Sequence, residues 1–415
     1  MASVNPPRGM RDFVPAEKSR REAVLAVIRG SYRSHGFDEI ETPVMEEIER
    51  LTAGLGGDNE KLAFGILKRG LTEADLGSAK NPNELVDMGL RYDLTVPLVR
   101  FYASNRGELP PVFRAIQIAP VWRAERPQKG RFRQFVQCDI DIIGEDSILA
   151  EVELINATQA TLQKLGVMGT AIRINDRRIL FGLLDVLGLK DTESALITLD
   201  KLDKIGAEGV IAELAERGAS EDSLNTLKRL LETHSNPTSA PTLNAITAAL
   251  PEGVAPEAVA ELAAIAEAVG SGVPLIFDPF LVRGMGYYTG AIFEVAHPEL
   301  GYSLGGGGRY DGMVGRFLGT DVPAVGFSLG FERLVELVEI DADSKDASVA
   351  VIFDQSLEPK QLIETKRELL AEGLRVRLVR KTKNTRAILD QLQKDGFTRY
   401  SFLNPGEPLD WKNLD

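Results

Sequence analysis

Residues 112–144, VFRAIQIAPVWRAERPQKGRFRQFVQCDIDIIG, constrain the fold of this chain more than any other stretch. The run reads as two strands joined by a charged loop at 126–130. Side chains alternate between the two faces of a strand. On the second strand Phe132, Gln134, Val136, Cys138, Ile140 and Ile142 share one nearly apolar face. Arg131, Arg133, Phe135, Gln137, Asp139 and Asp141 share the other. On the first strand Arg123 and Glu125 also fall on one face. An antiparallel hairpin with one face in water produces such alternation. Solvent faces, however, favour Lys and Glu, whereas the arginine fork matches planar anions such as phosphate and carboxylate. The polar face is therefore read as a floor for an anionic substrate.

A chain of 415 residues is expected to hold two or three domains. Its net charge of −13 argues against a protein that coats nucleic acid in general, while leaving room for local basic patches. The single cysteine, Cys138, excludes an intramolecular disulfide and a cysteine metal cluster, and fits a reducing compartment. No apolar run reaches about 18 residues and the N-terminus lacks an apolar signal core. The chain is therefore expected to be cytoplasmic and to have no membrane partner. His35, His234 and His297 show no metal-ligand spacing, and no G-x-S-x-G elbow occurs, so no metal ligand is nominated and hydrolase readings are weak.

In chain order, apolar spacing predicts a helix over 15–35, with Pro15 in its first turn and Gly36 just past its end. A strand interrupted by Pro43 follows at 36–44, and 51–88 reads as irregular. Residues 90–97 read as a half-buried strand that puts Arg91, Asp93 and Thr95 on one face. A helix at 147–165, a strand at 171–174 and a helix at 179–187 come next. From 190 to 272 alanine, leucine and glutamate dominate and prolines punctuate short helical runs, the texture of a helical insertion. Strand texture returns at 274–277 and leads into 281–294. The glycines at 305–308 permit close backbone approach to a ligand or another strand. Residues 323–335 read as a strand running into a helix, where Arg333 is placed to reach a phosphate or to lie on an ordinary helix surface. After a polar linker at 340–347, a β-α-β-α-β order over 349–403 predicts a small parallel α/β domain. Arg375, Arg377, Arg380, Lys381, Lys383 and Arg386 lie there with no acid between them. That run reads as an RNA-facing patch or as a solvated charge run.

Taken together these segments resemble the class II aminoacyl-tRNA synthetases, and within them the histidyl-tRNA synthetases. Residues 36–44 resemble motif 1 of that family, 122–135 motif 2 with its loop, and 325–334 motif 3. Residues 281–294 and 306–312 are similar to two segments typical of the histidine enzymes. The resemblance implies an α+β fold: a class II catalytic domain over 1–340, built on an antiparallel sheet with flanking helices. A helical insertion would occupy 190–272 within it, and a short anticodon-binding-like α/β domain 347–415. It further implies a homodimer that uses ATP and Mg²⁺ to join L-histidine to tRNA(His).

By the same resemblance, Arg123 would bind the α-phosphate and the histidine carboxylate, and Glu125 the adenine edge of ATP. Arg131 and Arg333 would hold the β- and γ-phosphates. Arg283 would lie beside the α-phosphate as a second catalytic cation. Asp93, Thr95, Gln137 and Asp141 would read the amino group and imidazole, with Tyr287 and Tyr288 closing the pocket. Arg126 and Gln128 would face the acceptor end of the tRNA. The substrate carboxylate is already an anion, so its attack on the α-phosphorus needs no general base. It needs two anions brought together and a pentavalent centre stabilised, which placed arginines do.

Three departures from the family pattern stand out. Gly286 occupies a place often held by aspartate, Asp93 and Asp141 occupy places often held by glutamate, and the C-terminal domain is short. The alternative reading is a non-catalytic, synthetase-like regulatory subunit of ATP phosphoribosyltransferase. Such subunits typically lack an intact motif 2 and the basic terminal domain.

Overall fold

The computed structural model describes residues 4–52, 62–128, 130–189, 191–233, 238–239, 241–283, 288–339 and 348–414. Two compact units divide the chain, one of residues 1–11 and 27–338, the other of 12–26 and 339–415. The strands of the first unit are β1 (Asp38–Glu39), β2 (Met45–Glu47), β3 (Phe64–Leu67), β4 (Val86–Leu90), β5 (Phe113–Trp122), β6 (Gln134–Ile143), β7 (Ala171–Asp176), β8 (Thr238–Ser239), β9 (Leu275–Phe277), β10 (Ala291–Ala296), β11 (Gly305–Arg309) and β12 (Ala324–Gly330). Nine of these described strands form one mixed sheet in the order β1-β5-β6-β12-β11-β10-β7-β9-β8. Only β1 with β5 and β7 with β9 run parallel in it. The fold is α+β, with helices packed on a largely antiparallel sheet. Helix Leu149–Lys164 lies against β6 and β12, and helix Pro256–Val269 against that helix and β7.

The expected hairpin forms, with Phe113 opposite Ile143 and Trp122 opposite Gln134. The inner part of its polar face is not in water. Asp139 and Asp141 are 4% and 3% exposed, while Cys138, Ile140 and Ile142 on the other face are fully buried. Alternation here separates an apolar core from a covered polar cleft. Arg123 and Glu125 lie past the last residue of β5, although the Arg123 N–H still donates to the Arg133 carbonyl at 2.8 Å.

The glycine run becomes β11, paired on both sides, with Gly307 opposite Phe293 of β10 and Phe327 of β12. A Cβ on Gly307 would come within 1.9 Å of the Gly326 carbonyl oxygen, and one on Gly308 within 2.7 Å of the Ala291 oxygen. Close approach to neighbouring strands therefore requires these glycines.

Three segments differ from their sequence readings. The strand expected at 90–97 ends at Leu90, and a helix runs over Thr95–Asn105. The Asp93 carboxylate accepts from the Val96 N–H at 3.2 Å, and Pro97 sits in the first turn, where no N–H is needed. The strand expected at 36–44 is reduced to β1, with β2 beyond it. Pro43 has no N–H to continue a ladder, and the Arg91 Nη1 serves the Thr42 and Pro43 carbonyls at 2.8 and 3.2 Å. Among the described residues of the irregular stretch, β3 and β4 join β2 in a three-stranded antiparallel sheet. Gly89 leaves room there for Leu51 and Ile48.

Residues 190–272 contain helices Thr192–Leu199, Leu202–Glu216, Glu221–Thr233, Leu243–Ala248 and Pro256–Val269. They also supply β8, which joins the edge of the large sheet. Leu196, Val210, Leu214 and Leu227 pack with Leu183 and Leu184 into one buried cluster that includes Phe280, Leu281 and Val282.

The second unit has strands β13 (Ser348–Phe353), β14 (Arg375–Arg380), β15 (Arg399–Leu403) and β16 (Lys412–Asn413), ordered β14-β13-β15-β16. The first three are parallel, joined by helices Pro359–Ala371 and Thr385–Lys394, and β16 adds an antiparallel edge.

Candidate active site

A cleft of about 580 Å³ opens over the polar ends of β6, β11 and β12. Its lining includes Arg123, Glu125, Arg131, Arg283, Arg333, Asp93, Thr95, Gln137, Asp141 and Tyr288, ten of the positions nominated from sequence. Tyr287 and Gly286 lie outside the described residues. Arg126 and Gln128 are exposed on the loop and do not line the cleft. Gln128 and Arg131 exchange backbone hydrogen bonds of 3.1 and 2.9 Å, which closes that loop on itself.

Four guanidiniums line the cleft from different elements. Arg123 leaves β5, donates from Nε to the Tyr92 carbonyl at 2.9 Å, and lies 5.0 Å from the Phe135 ring centre. Arg283 donates from Nη1 to Glu294 of β10 and to the Ser303 hydroxyl, the latter at 3.2 Å. Gly306 permits this: a Cβ there would fall 2.3 Å from the Arg283 Cζ. Arg333, in the first turn of helix Phe331–Leu337, donates to the Ser303 carbonyl and stacks 4.9 Å over Tyr302. Burial, and then the positive charges of Arg131 and Arg283, lower its pKa. Like charges brought this close in a cleft favour an anionic ligand with several negative oxygens. Arg131 is half exposed and contacts Glu125 weakly, at 3.5 Å. Such a contact leaves it available to a ligand.

Three buried carboxyl groups line the same cleft. Burial raises the Asp93 pKa to about 6, against the opposing pull of the Val96 N–H and Arg123. Burial raises Asp141 to about 7, although the Tyr310 hydroxyl donates to it at 2.6 Å. Asp139 is raised well above the carboxylate range by burial and by Asp141 beside it. Carboxyl groups held this way ionise when a cation arrives. Sequence reasoning left Asp139 as an ordinary strand residue, yet it lines the cleft with Asp141. The signal was its two-residue spacing from Gln137 and Asp141 on one strand face. Next to it the Gln137 amide donates to Asp139 and to the Ser328 hydroxyl.

Residues far away in sequence complete the walls. Asp200, Asp203 and Lys204 from the 190–272 segment line the cleft. Burial raises the Asp200 pKa, opposed by Lys204, Arg283 and Arg131 in that order. Arg173 of β7 binds Asp278, Asp203 at 2.9 Å and Glu294 at 3.1 Å. No single stretch of sequence signals these contacts. Among the described residues no group of three or more His, Cys, Asp or Glu side chains is arranged to hold a metal ion. No helix among them is long and apolar enough to cross a membrane.

Comparison with known proteins shows the family to which the chain belongs. A family model described as histidyl-tRNA synthetase matches residues 9–334. A histidine–tRNA ligase of Leifsonia xyli is 57% identical over 428 aligned positions, covering 100% of this chain and 99% of that protein. The crystal structure of histidyl-tRNA synthetase from Nostoc sp. PCC 7120 superposes with a TM-score of 0.78 at 26% identity, covering 100% of this chain and 95% of that one. A Bacillus halodurans structure described as an ATP phosphoribosyltransferase regulatory subunit/histidyl-tRNA synthetase superposes with a TM-score of 0.75 at 23% identity. It covers 97% of this chain and 98% of its own, a likeness of fold alone.

Proposed function

The chain belongs to the histidyl-tRNA synthetase family, and from that premise we propose how its cleft performs the reaction of a histidine–tRNA ligase. The chain is an aminoacyl-tRNA ligase, and ATP is its substrate. One observation carries the reading of the site: a single cleft lined by Arg123, Arg131, Arg283 and Arg333 together with the buried carboxyl groups of Asp93, Asp139 and Asp141, with Arg123 near enough to Asp93 and Asp139 to oppose the rise that burial gives both pKa values. An amino acid with a cationic ammonium and an anionic carboxylate suits such a mixed lining, its ammonium toward the carboxyl groups and its carboxylate toward Arg123.

In the first step a histidine carboxylate oxygen attacks the α-phosphorus of ATP. A P–O bond forms, the bond to the bridging oxygen breaks, and pyrophosphate leaves. Arg123 holds the attacking carboxylate and the α-phosphate together, and Arg283 faces the charge that grows on the pentavalent centre. Arg131 and Arg333 take the β- and γ-phosphates, and Glu125 the adenine edge. Two anions that repel in water are thereby brought into reach, and the donors are in place before charge develops. Asp93, Thr95 and Gln137 take the ammonium. Asp141 takes an imidazole N–H, and the neutral ring's other nitrogen accepts. Tyr288 closes over the ring, a role the family resemblance also gives to Tyr287. Among the described residues no group of carboxylates is arranged to hold a metal ion, so Mg²⁺ would come with the phosphates of ATP and add to the charge the arginines neutralise.

In the second step the histidyl group passes to a ribose hydroxyl at the 3′ end of tRNA(His), and AMP leaves. The exposed Arg126 and Gln128 meet that acceptor end. Residues 1–340 act as the catalytic domain with 190–272 as its insertion, and 347–415 as the anticodon-side domain. The working unit is a homodimer in the cytoplasm. The experiment is histidine-dependent exchange of pyrophosphate into ATP, followed by charging of tRNA(His). Exchange with histidine and with no other amino acid supports this reading. No exchange, together with stimulation of an ATP phosphoribosyltransferase, would replace it with the regulatory one.

A further inference from the structure

Two of the arginines in the cleft share one small residue. The Ser303 hydroxyl accepts from the Arg283 Nη1 at 3.2 Å, and the Ser303 carbonyl accepts from the Arg333 Nη1. Ser303 and its neighbour Tyr302 both line the cleft, and Arg333 stacks over the Tyr302 ring. The next residue ties the chain to two strands. Its Leu304 N–H donates to the Val295 carbonyl of β10 at 2.9 Å, and its carbonyl accepts from the Gly330 N–H of β12 at 2.8 Å.

Each bond to this hydroxyl has only one possible direction. A serine hydroxyl has one hydrogen to give and two lone pairs to offer. The Gly305 carbonyl, 2.8 Å away, can only accept, so the hydrogen goes there. The Gly305 N–H, at 3.3 Å, and the Arg283 guanidinium can only donate, so they take the lone pairs. The hydroxyl therefore closes the turn at 303–305 and carries Arg283 at the same time. That turn also sets where the Ser303 carbonyl points, and so where Arg333 is held. The two guanidiniums repel each other. Burial lowers the Arg333 pKa most, and the charges of Arg131 and Arg283 lower it further. Like charges left untethered in a cleft move apart, and an anion that bridges them then loses affinity in drawing them back.

We propose that Ser303 is a positioning residue that fixes Arg283 and Arg333 at one spacing, so that the cleft favours a triphosphate, whose oxygens reach both, over a monophosphate, which meets only one. The inference rests on the ligase reading of the cleft, in which Arg283 faces the α-phosphate and Arg333 the terminal phosphates. It adds the joint that makes the two arginines a single receptor.

The test titrates ATP with Mg²⁺, and separately AMP, into the full chain with and without Ser303→Ala. The variant is expected to weaken ATP binding about tenfold, the scale of one hydrogen bond to a charged group, and AMP binding by less than about threefold. Ser303→Thr keeps the hydroxyl and should bind ATP within about threefold of the unmodified chain. If Ser303→Ala fails to fold, Ser303→Cys, with only a weak donor and acceptor, must show the same selective loss. ATP and AMP weakened alike, or neither weakened, in a folded variant overturns the inference. Equal loss of ATP binding in Ser303→Thr and Ser303→Ala overturns it as well. If the unmodified chain binds no ATP, the ligase reading of the cleft fails and takes this inference with it.

Discussion

Glu294 holds Arg283: one oxygen of its carboxylate accepts from the Arg283 Nη1, while the other accepts from Arg173 at 3.1 Å. Glu294 is largely buried, and Arg173 is fixed in turn by Asp278. The guanidinium proposed to face the α-phosphate is thus braced from behind. A displacement of about 1 Å at such a group costs on the order of 100-fold in rate. Glu294→Gln, which keeps an acceptor but loses the charge, is expected to lower kcat for pyrophosphate exchange by about 10- to 100-fold. The KM for histidine should move less than about threefold. Steady-state exchange kinetics decide it: a raised KM with unchanged kcat would mean that Glu294 serves binding instead.

Arg283→Ala removes the cation itself. By analogy with losing one oxyanion-hole donor, the barrier should rise by about 2–4 kcal/mol, or about 30- to 1,000-fold in rate. Single-turnover formation of the adenylate is the measurement, with circular dichroism to verify the fold. Near-normal turnover would remove Arg283 from the mechanism.

Neighbouring glycines on β11 should fail in different ways. A Cβ on Gly306 meets the side chain of Arg283, whereas one on Gly307 meets the backbone of Gly326 and Phe327. A side chain can move and a paired strand cannot. Gly306→Ala is expected to keep its melting temperature within a few degrees while exchange falls about tenfold or more. Gly307→Ala is expected to lose about 3 kcal/mol or more of stability, the upper range for overpacking. Thermal unfolding beside activity separates the two. Equal losses in both would contradict the assignment.

The buried carboxyl groups make a signed prediction about pH. A group whose pKa rises on folding contributes stability below its unfolded value, near 4, and loses that contribution as pH climbs through the folded value. For Asp141 the window runs from about 4 to about 7. Without ligand, the stability of the chain should therefore fall between pH 5 and pH 8 by more than that of Asp141→Asn. The asparagine Oδ1 still accepts from Tyr310 and has no charge to bury. Urea unfolding at the two pH values gives the comparison. Parallel curves for the two proteins would show that Asp141 ionises in the folded state without penalty.

Local pattern alone determined much of this protein. Alternation marked β5 and β6, helical spacing over 15–35 and 147–165 marked the helices Pro15–Ser34 and Leu149–Lys164, and the glycine run marked a close backbone approach, which β11 makes to its neighbouring strands. Such features depend on residues a few positions apart, so they are written where they act. The tertiary structure helped decide that Thr95 starts a helix instead of ending a strand, because Arg91 turns away to serve the distant Thr42 carbonyl while the Asp93 carboxylate accepts from the Val96 N–H of the first turn. It also turned the inner part of the polar face of β6 from a wet surface into a wall where Asp139 and Asp141 are buried. The brace behind Arg283 joins positions 173, 278, 283 and 294, and Asp200 and Lys204 reach the same cleft from another segment. Contacts over such separations arise only when the sheet brings its strands together, which is why no reading of the local sequence contained them.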